Sequence, residues 1–271
     1  MSAARKGIRL PLSPARQLVV ELLHHARRVP SLPLSKQVSV AALAEVRAQA
    51  ESRPSWTAIF MKAYGIVARR YPPLRQTYIA WPWPHLYQHP YSECAVLIER
   101  ELRGEPVVLG AKVRAPEEAT LTALDGHLRR YREAPIESIG YFRQVLRVGA
   151  LPAPLRRAVF WYSLHLSGAK RAKHWGTFML SSLGVLGVEQ HHPLTPLTTY
   201  FTFGPIDAQG NVTLKIVYDH RVMDGRTVAR CLNELDAILH GEVLEELQCL
   251  AGAVGYGAHD DAVTLARLKA S

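Results

Sequence analysis

The chain has 271 residues, of which 48% are hydrophobic and 21% are charged. This balance is ordinary for a globular protein, and it excludes a disordered chain, a collagen-like repeat and a coiled coil. The length predicts one large domain or two small ones. The 33 basic and 23 acidic residues give a formal net charge of +10, which favours an anionic partner: phosphate, an acidic protein, nucleic acid or a membrane surface.

The cysteines and the N-terminal segment indicate the cellular compartment. Cys94, Cys231 and Cys249 are far apart and lack CxxC spacing, so we expect neither a disulfide framework nor a structural zinc site. The N-terminal sequence MSAARKGIRLPLSP has no apolar core and does not predict a signal peptide. No apolar stretch reaches the ~18 residues that a membrane span needs. These features predict a soluble, cytoplasmic protein.

Amphipathic patterns in the first half of the chain predict alternating helices and strands. Ser13-Pro14 is a typical helix start, with a capping hydroxyl before a proline. Arg16 falls in the first turn, where the helix dipole disfavours a cation, so either a partner elsewhere explains it or it is simply solvated. The predicted elements of this half are a helix from Pro14, a strand over 34–40, helices over 40–50 and 55–72, and paired strands over 93–99 and 106–113.

The second half of the chain contains the clearest strand. In NVTLKIVY (211–218) alternate residues share an apolar face, and a helix follows over 226–240. The elements lack the regular rhythm of a barrel, which favours a single domain over 1–271, an α/β sandwich with a mixed sheet covered by helices. The other predicted elements are a helix opened by Pro116, Glu117 and Glu118, an irregular basic and aromatic stretch over 135–175, and strands over 177–182 and 197–204.

The candidate chemistry lies in the turn DHRVMDG (219–225), between that last strand and helix. A histidine at the end of a strand can reach into a cleft, and the imidazole group suits proton abstraction at neutral pH. Asp224 and Gly225 would shape the turn and open the following helix. The turn makes His220 a candidate general base, and a loop histidine without a role is the alternative.

In this setting DHRVMDG resembles the active-site signature of the acyltransferase subunits of 2-oxoacid dehydrogenase complexes. Chloramphenicol acetyltransferases and peptide-synthetase condensation domains carry a related His-x-x-x-Asp-Gly turn. The segment GTFMLSSLGVLGV (176–188) resembles the family's strand and glycine segment. Residues 9–47 and 55–78 resemble its first helices and strands. The likeness covers roughly residues 8–240.

The resemblance implies a chloramphenicol acetyltransferase-like fold and direct acyl transfer from a coenzyme A thioester, without a metal. His220 matches the catalytic base, and Ser181 matches the hydroxyl that stabilises the oxyanion. Asp224 matches a structural aspartate that pairs with an arginine of the N-terminal helix, here Arg16. Because the family forms its clefts between the subunits of a trimer, the resemblance also implies a homotrimer or a higher assembly of trimers.

The chain also departs from the family. Thr177 and Ser182, near Ser181, are candidate substrate-binding residues, yet Ser182 stands where the family often has asparagine. No segment resembles a lipoyl domain or a peripheral-subunit-binding segment, so a carrier would be a separate protein. Residues 241–271 do not resemble the C-terminal end that builds the family's cubic or icosahedral cores. Residues 135–175 look longer than the family's equivalent, and we call them the insertion.

Positive charge is concentrated around the insertion. No Asp or Glu occurs from Ser138 to Val188, and aromatic residues are interleaved with cations. This pattern predicts docking of coenzyme A phosphates, an acidic carrier protein or an anionic membrane surface, and a solvated basic lid over an acyl pocket is the alternative. Nothing resembles a nucleic-acid-binding motif, so we expect no nucleic acid partner. The cations are Arg143, Arg147, Arg156, Arg157, Lys170, Arg171 and Lys173.

His85, His89 and Cys94 are not expected to bind a metal, because the surrounding prolines break the helix that an i, i+4 pair needs.

Three functions follow from these patterns. The main prediction is an acyltransferase that uses coenzyme A thioesters with a thiol, hydroxyl or amine acceptor, in the cytoplasm or peripherally at a membrane. The alternatives are an enzyme with an acyl carrier protein donor and a non-catalytic trimeric scaffold of the same fold.

Overall fold

The computed structural model of the protein describes residues 7–252. Within them, a six-stranded sheet and a two-stranded hairpin form the strand framework. The strands are β1 (Ser31–Ser39), β2 (Gln76–Ile79), β3 (His85–Gln88), β4 (Glu93–Leu102), β5 (Glu105–Arg114), β6 (Phe178–Ser181), β7 (Thr199–Phe203) and β8 (Asn211–Asp219).

The helices connect and cover these strands. They are α1 (Pro14–Ala26), α2 (Ala41–Gln49), α3 (Trp56–Arg70), α4 (Leu121–Glu133), α5 (Gly140–Gly149), α6 (Ala153–His165), α7 (Gly168–Trp175) and α8 (Gly225–His240). Residues 242–252 are helical as well.

The six-stranded sheet has the order β1-β8-β7-β6-β4-β5. Strand β6 pairs in parallel with both β4 and β7, and the other pairs are antiparallel. The predicted mixed sheet covered by helices is therefore confirmed. The strands predicted over 93–99, 106–113, 177–182, 197–204 and 211–218 all lie in this sheet.

Side chains from both faces of the sheet are buried. Phe178 and Leu180 of β6 pack into the main core together with Tyr64 of α3. Met179 points to the opposite face, where it belongs to a second cluster with Leu22 of α1 packed against it. Because the central strands are covered on both faces, they are apolar throughout rather than alternating.

The prediction of an irregular stretch over 135–175 is wrong, because the insertion forms the helices α5, α6 and α7. Pro152 stands directly before α6, and the Ser167 hydroxyl caps α7 by accepting from the main-chain N of Lys170. Each helix is only 8–13 residues long. Such short helices depend on tertiary packing for their stability, so their periodic signal in the sequence is weak. In the described part of the chain, no helix combines the length and apolar character needed to cross a membrane.

Two other parts of the fold differ from the sequence-based expectation. Helix α4 begins at Leu121, where the Thr120 hydroxyl accepts from the main-chain N of Ala123, and not at Pro116. Strand β2 corresponds to the strand that the resemblance of residues 55–78 implies, whereas β3 was not predicted, because it has only four residues and prolines lie on both sides of it.

A close helix contact between α1 and α5 anchors the insertion and supplies a stability prediction. A methyl group on Gly149 would lie 2.9 Å from Leu18 Cγ and closer still to the Pro14 carbonyl. Gly149→Ala is therefore expected to lower the free energy of unfolding by about 1–3 kcal/mol through overpacking, as measured by urea denaturation. In the control Gly126→Ala, on α4, the methyl group meets nothing within 4 Å, and stability is expected to rise by up to ~1 kcal/mol. Equal effects of the two variants would contradict this contact.

Candidate active site

The turn between β8 and α8 is held rigidly by its first residue. Asp219 is buried, and its carboxylate accepts from the main-chain N of Arg221 at 3.0 Å and from the Arg221 guanidinium at 2.9 and 2.7 Å. The main-chain N of His220 donates to the Pro30 carbonyl at 3.0 Å. These contacts fix the backbone from which the His220 side chain projects.

The imidazole of His220 is exposed and has a defined tautomer. Its Nδ1 lies 3.0 Å from the carbonyl oxygen of Met223. Because a carbonyl oxygen only accepts hydrogen bonds, Nδ1 carries the proton and Nε2 keeps its lone pair. His220 therefore presents a basic nitrogen at the surface of the chain.

Asp224 caps helix α8 and does not pair with Arg16. Its carboxylate accepts from the main-chain N of Thr227 at 2.8 Å, and this hydrogen bond holds the pKa of Asp224 below its usual value. No ion pair among residues 7–252 contains Arg16 or Asp224. The predicted Arg16–Asp224 pair is therefore not formed within one chain.

The path of α1 across the sheet explains why that pair does not form. Arg16, near the start of α1, lies beside Glu105 and Val108 of the edge strand β5. Three strands separate β5 from β8, which leads into Asp224. The end of α1 that approaches the turn is its C-terminal end, where His25 lines the same cavity as Arg221 and Pro30 contacts His220.

The revised role of Asp224 leads to a stability prediction. Asp224→Ala is expected to lower the thermal unfolding midpoint only slightly, because it removes one exposed helix cap. Asp224→Asn should retain most of the stability, since asparagine caps helices about as well as aspartate. Calorimetry on the two variants measures this. A collapse of the fold in both would instead indicate a buried ion pair.

Ser181 ends β6 and borders an open groove. The groove has a volume of about 570 Å³, within the size range of small-molecule sites. Its lining includes Arg47 of α2 and Arg132 of α4, two cations that the sequence analysis did not select because they lie far from Ser181 in the chain. We call this cavity the Ser181 groove. Its other lining residues include Trp56, Leu97, Ser182, Val185, Phe203 and Ile206.

The hydroxyls of Thr177 and Ser182 are used within the protein. Thr177 is buried, and its Oγ1 accepts from the main-chain N of Glu93 at 2.9 Å and donates to the Glu93 carbonyl at 3.2 Å. Ser182 Oγ donates to the Phe203 carbonyl at 2.8 Å and accepts from the main-chain N of Gly184 at 3.0 Å. The structure therefore gives both residues a role in holding strand ends, and their role in substrate binding stays a prediction, with Ser182 also lining the Ser181 groove.

The strand register places Ser181 level with the middle of β8, whereas His220 lies beyond the end of β8. Ser181 is paired with Thr202, and Thr202 is paired with Lys215 on β8. His220 lies five residues beyond Lys215 along the chain. At about 3.3 Å per residue, the strand register places the two residues about 16 Å apart along the strand direction, before the offset between strands is added. A single chain therefore does not bring the two candidate catalytic residues together.

Two of the predicted docking cations are structural. Arg156 and Arg171 are only 7% and 4% exposed. Arg156 donates to main-chain carbonyls of Gly149 and Leu151 and to Gln17 Oε1. Arg171 in turn donates to the carbonyls of Tyr78, Leu164 and Pro196, so neither arginine belongs to an exposed docking face for a carrier protein or a membrane. The remaining predicted cations are exposed: Arg143, Arg147, Arg157, Lys170 and Lys173.

Comparisons with known proteins were made for sequence and for structure. No protein-family model and no curated protein matches the chain. The dihydrolipoamide acetyltransferase of Azotobacter vinelandii superposes with a TM-score of 0.63 and 16% identity, over 88% of this chain and 94% of that chain. The cubic core of a pyruvate dehydrogenase multienzyme complex gives 0.63 and 16% identity, over 89% and 95%.

A truncated catalytic core of the 2-oxoacid dehydrogenase complex from Thermoplasma acidophilum gives a TM-score of 0.62 and 12% identity, over 87% of this chain and 99% of that chain. The chain has the fold of a 2-oxoacid dehydrogenase acyltransferase core. The resemblance stated from the DHRVMDG turn and its neighbouring segments is therefore confirmed at the level of the fold. In this acyltransferase-core fold, the described residues bring no group of three or more His, Cys, Asp or Glu side chains together as a metal site.

Proposed function

We propose that the protein is an acyltransferase that moves an acyl group from a coenzyme A thioester directly to a thiol, hydroxyl or amine acceptor. The observation that carries the proposal is the tautomer of His220, whose Nδ1 donates to the Met223 carbonyl and leaves Nε2 as an exposed base. The Azotobacter enzyme supports it, because its structure was determined to examine a serine, a histidine and an asparagine in the catalytic mechanism.

The reaction requires one proton to move twice. His220 Nε2 takes the proton of the acceptor as the acceptor attacks the thioester carbonyl. The Ser181 hydroxyl donates to the oxyanion of the tetrahedral intermediate. When the intermediate collapses, the carbon–sulfur bond breaks and the leaving thiolate receives the proton from His220. No acyl group is attached to the protein at any stage.

The site we propose is shared by two chains. Because the strand register separates Ser181 and His220 by about 16 Å within one chain, a second copy must supply the missing partner. A trimer satisfies this requirement with three equivalent interfaces. The structural likeness to a cubic pyruvate dehydrogenase core supports an assembly built from symmetric units.

The Ser181 groove is our candidate for the entry of the thioester substrate. Arg47 and Arg132 line it, and guanidinium groups suit the phosphates of coenzyme A. The Arg47 guanidinium lies 5.3 Å from the centre of the Trp56 ring. We therefore assign the phosphates to this groove and the acceptor to the His220 side of the subunit interface.

The five exposed insertion cations suit a second, electrostatic role. They form a docking face for an acidic acyl carrier protein or an anionic membrane surface. We also propose that the protein lies in the cytoplasm, because Cys94 and Cys231 are buried free thiols. Turnover of coenzyme A thioesters and of carrier-bound thioesters, measured over a range of salt concentrations, distinguishes the donors. Faster turnover with the carrier-bound thioester would identify the carrier as the donor, and loss of that turnover alone at high salt would show that its docking is electrostatic.

Acyl transfer itself is tested by release of the coenzyme A thiol from a panel of acyl-coenzyme A thioesters. Dihydrolipoamide, alcohols and amines serve as acceptors. Saturable, acceptor-dependent release is the expected result. No release with any pair, from protein shown to be folded and oligomeric, would favour the non-catalytic scaffold.

Removal of the Ser181 hydroxyl is expected to slow transfer while leaving substrate binding intact. Ser181→Ala should lower kcat by about 10–10³-fold with little change in KM, because the hydroxyl acts on the transition state. Steady-state kinetics measure both constants. Ser138→Ala, an exposed serine of the insertion, is the control and should retain wild-type kcat. A change in KM alone would show that Ser181 binds substrate without stabilising the oxyanion.

A further inference from the structure

A second cavity borders the turn that carries His220. Its volume is about 270 Å³, and it is separate from the Ser181 groove. The segment that ends α1, the start of the β2-β3 connection, helix α6 and the turn after β8 all contribute to it. We call it the arginine cavity, and its lining residues are His25, Arg28, Val29, Tyr78, Ala80, Trp81, Trp161, His165, Arg171, Pro196 and Arg221.

The arginine cavity has more positive than negative charge. Arg28, Arg171 and Arg221 line it, whereas no Asp or Glu does. The carboxylate of Asp219 neutralises Arg221, so Arg28 and Arg171 leave an excess of two positive charges. None of the ion pairs within residues 7–252 involves either of these two arginines.

Arg171 is the unusual member of this group. It is 4% exposed, and its guanidinium donates only to the main-chain carbonyls of Tyr78, Leu164 and Pro196. A buried cation whose hydrogen bonds all go to neutral carbonyls costs free energy, which a bound anion would offset. Burial lowers the pKa of Arg171 to about 10, so the group is still charged at neutral pH.

Two residues that line the cavity each carry a buried nitrogen without a hydrogen-bond partner among the described residues. These nitrogens are Arg171 Nε and His25 Nε2. His25 Nδ1 lies 3.0 Å from His165 Nε2, so the two imidazoles are coupled by one hydrogen bond. Burial and the neighbouring positive charges lower the pKa of His165 to about 4, in keeping with a positive potential in the cavity. Unsatisfied buried polar atoms are rare in folded proteins and point to a missing ligand.

We propose that the arginine cavity binds the phosphate group of an organic phosphate monoester. A phosphate monoester carries about −1.5 to −2 charge at neutral pH, which matches the excess charge of the cavity. Guanidinium groups match the geometry of phosphate oxygens. Trp81 and Trp161, 53% and 41% exposed, lie at the same cavity and provide apolar surface for the organic part of the ligand.

Arg28 and Arg27 provide a matched pair of variants to test the site. Both are exposed cations after the end of α1, but only Arg28 lines the cavity, and Arg27 contacts His24. Either change to glutamine removes one charge. Arg171 stays intact in both variants because it also holds three carbonyls. Circular dichroism establishes that both variants are folded.

The binding experiment uses phenyl phosphate, with benzoate as the carboxylate counterpart and inorganic phosphate as the minimal ion. Calorimetry and tryptophan fluorescence quenching report binding. We expect phenyl phosphate to bind wild-type protein with 1:1 stoichiometry per chain and more tightly than benzoate. Arg28→Gln should weaken binding by about 10- to 100-fold, the effect of one lost charge-assisted hydrogen bond, whereas Arg27→Gln should stay within about twofold.

Three results would overturn the proposal. They are the absence of saturable phenyl phosphate binding to the wild type, equal weakening by Arg28→Gln and Arg27→Gln, and benzoate binding as tight as phenyl phosphate. Equal weakening would mean that phosphate is attracted by the net charge of the surface. Because the readout is binding, the result does not depend on whether the protein transfers acyl groups.

Discussion

Replacing His220 by alanine is expected to lower acyl transfer by about 10²–10⁴-fold, the usual contribution of a general base. The loss follows from the removal of Nε2, since no proton can then be taken from the acceptor as it attacks. The fold should be unchanged, because the side chain is exposed and makes one recorded hydrogen bond, to the Met223 carbonyl. The rate of thiol release under saturating substrate measures the effect.

Helix α8 offers a closely matched control for this change. His240 is exposed, and its Nδ1 also lies close to a main-chain carbonyl, that of Asp236, at 2.9 Å. His240→Ala should keep wild-type transfer. Wild-type activity in His220→Ala, with the oligomer intact, would remove His220 from the mechanism and with it the main support for the proposed reaction.

The second large effect is recovery of activity from two inactive variants. In a trimer whose sites each take His220 from one chain and Ser181 from the next, co-expressed His220→Ala and Ser181→Ala chains form some intact sites. For random mixing of equal amounts, about one quarter of the interfaces pair a normal histidine with a normal serine. The expected kcat per chain is therefore about one quarter of the wild-type value, well above that of either variant alone.

In the control mixture, a chain that carries both substitutions takes the place of the Ser181→Ala chain. Mixtures of His220→Ala with the His220→Ala/Ser181→Ala chain contain no normal histidine and should stay inactive. Light scattering and tagged co-purification must first establish that the two chains mix. Mixed trimers without recovered activity would show that the two residues do not meet at an interface, and a stable monomer would contradict the shared site altogether.

Local sequence signals predicted the framework of this fold well. The period-two pattern of 211–218 corresponds to β8, and the helix predicted over 226–240 corresponds to α8 at Gly225–His240. Ser13 and Ser55 cap α1 and α3 through their hydroxyls, as the sequence indicates. Each of these signals arises from neighbouring residues of the chain, so no knowledge of the tertiary structure is needed to interpret them.

Contacts between distant segments were predicted less well. The resemblance paired Arg16 with Asp224, but α1 places Arg16 beside β5, which three strands separate from β8. Arg156 and Arg171 look like surface cations in the sequence, yet main-chain carbonyls from several segments surround them. The sequence does not report burial of a charged residue, because burial depends on which helix ends converge on it.

The net charge of +10 shows what the sequence by itself determines and what the tertiary structure adds. The sequence by itself determined that positive charge is concentrated between 138 and 188, since this follows from counting residues. Only the tertiary structure decided that two of those seven cations are buried, and that one of them joins Arg28 and Arg221 in a cavity. The reason is physical: net charge is a sum over the chain, whereas an anion site requires charges from separate segments to converge.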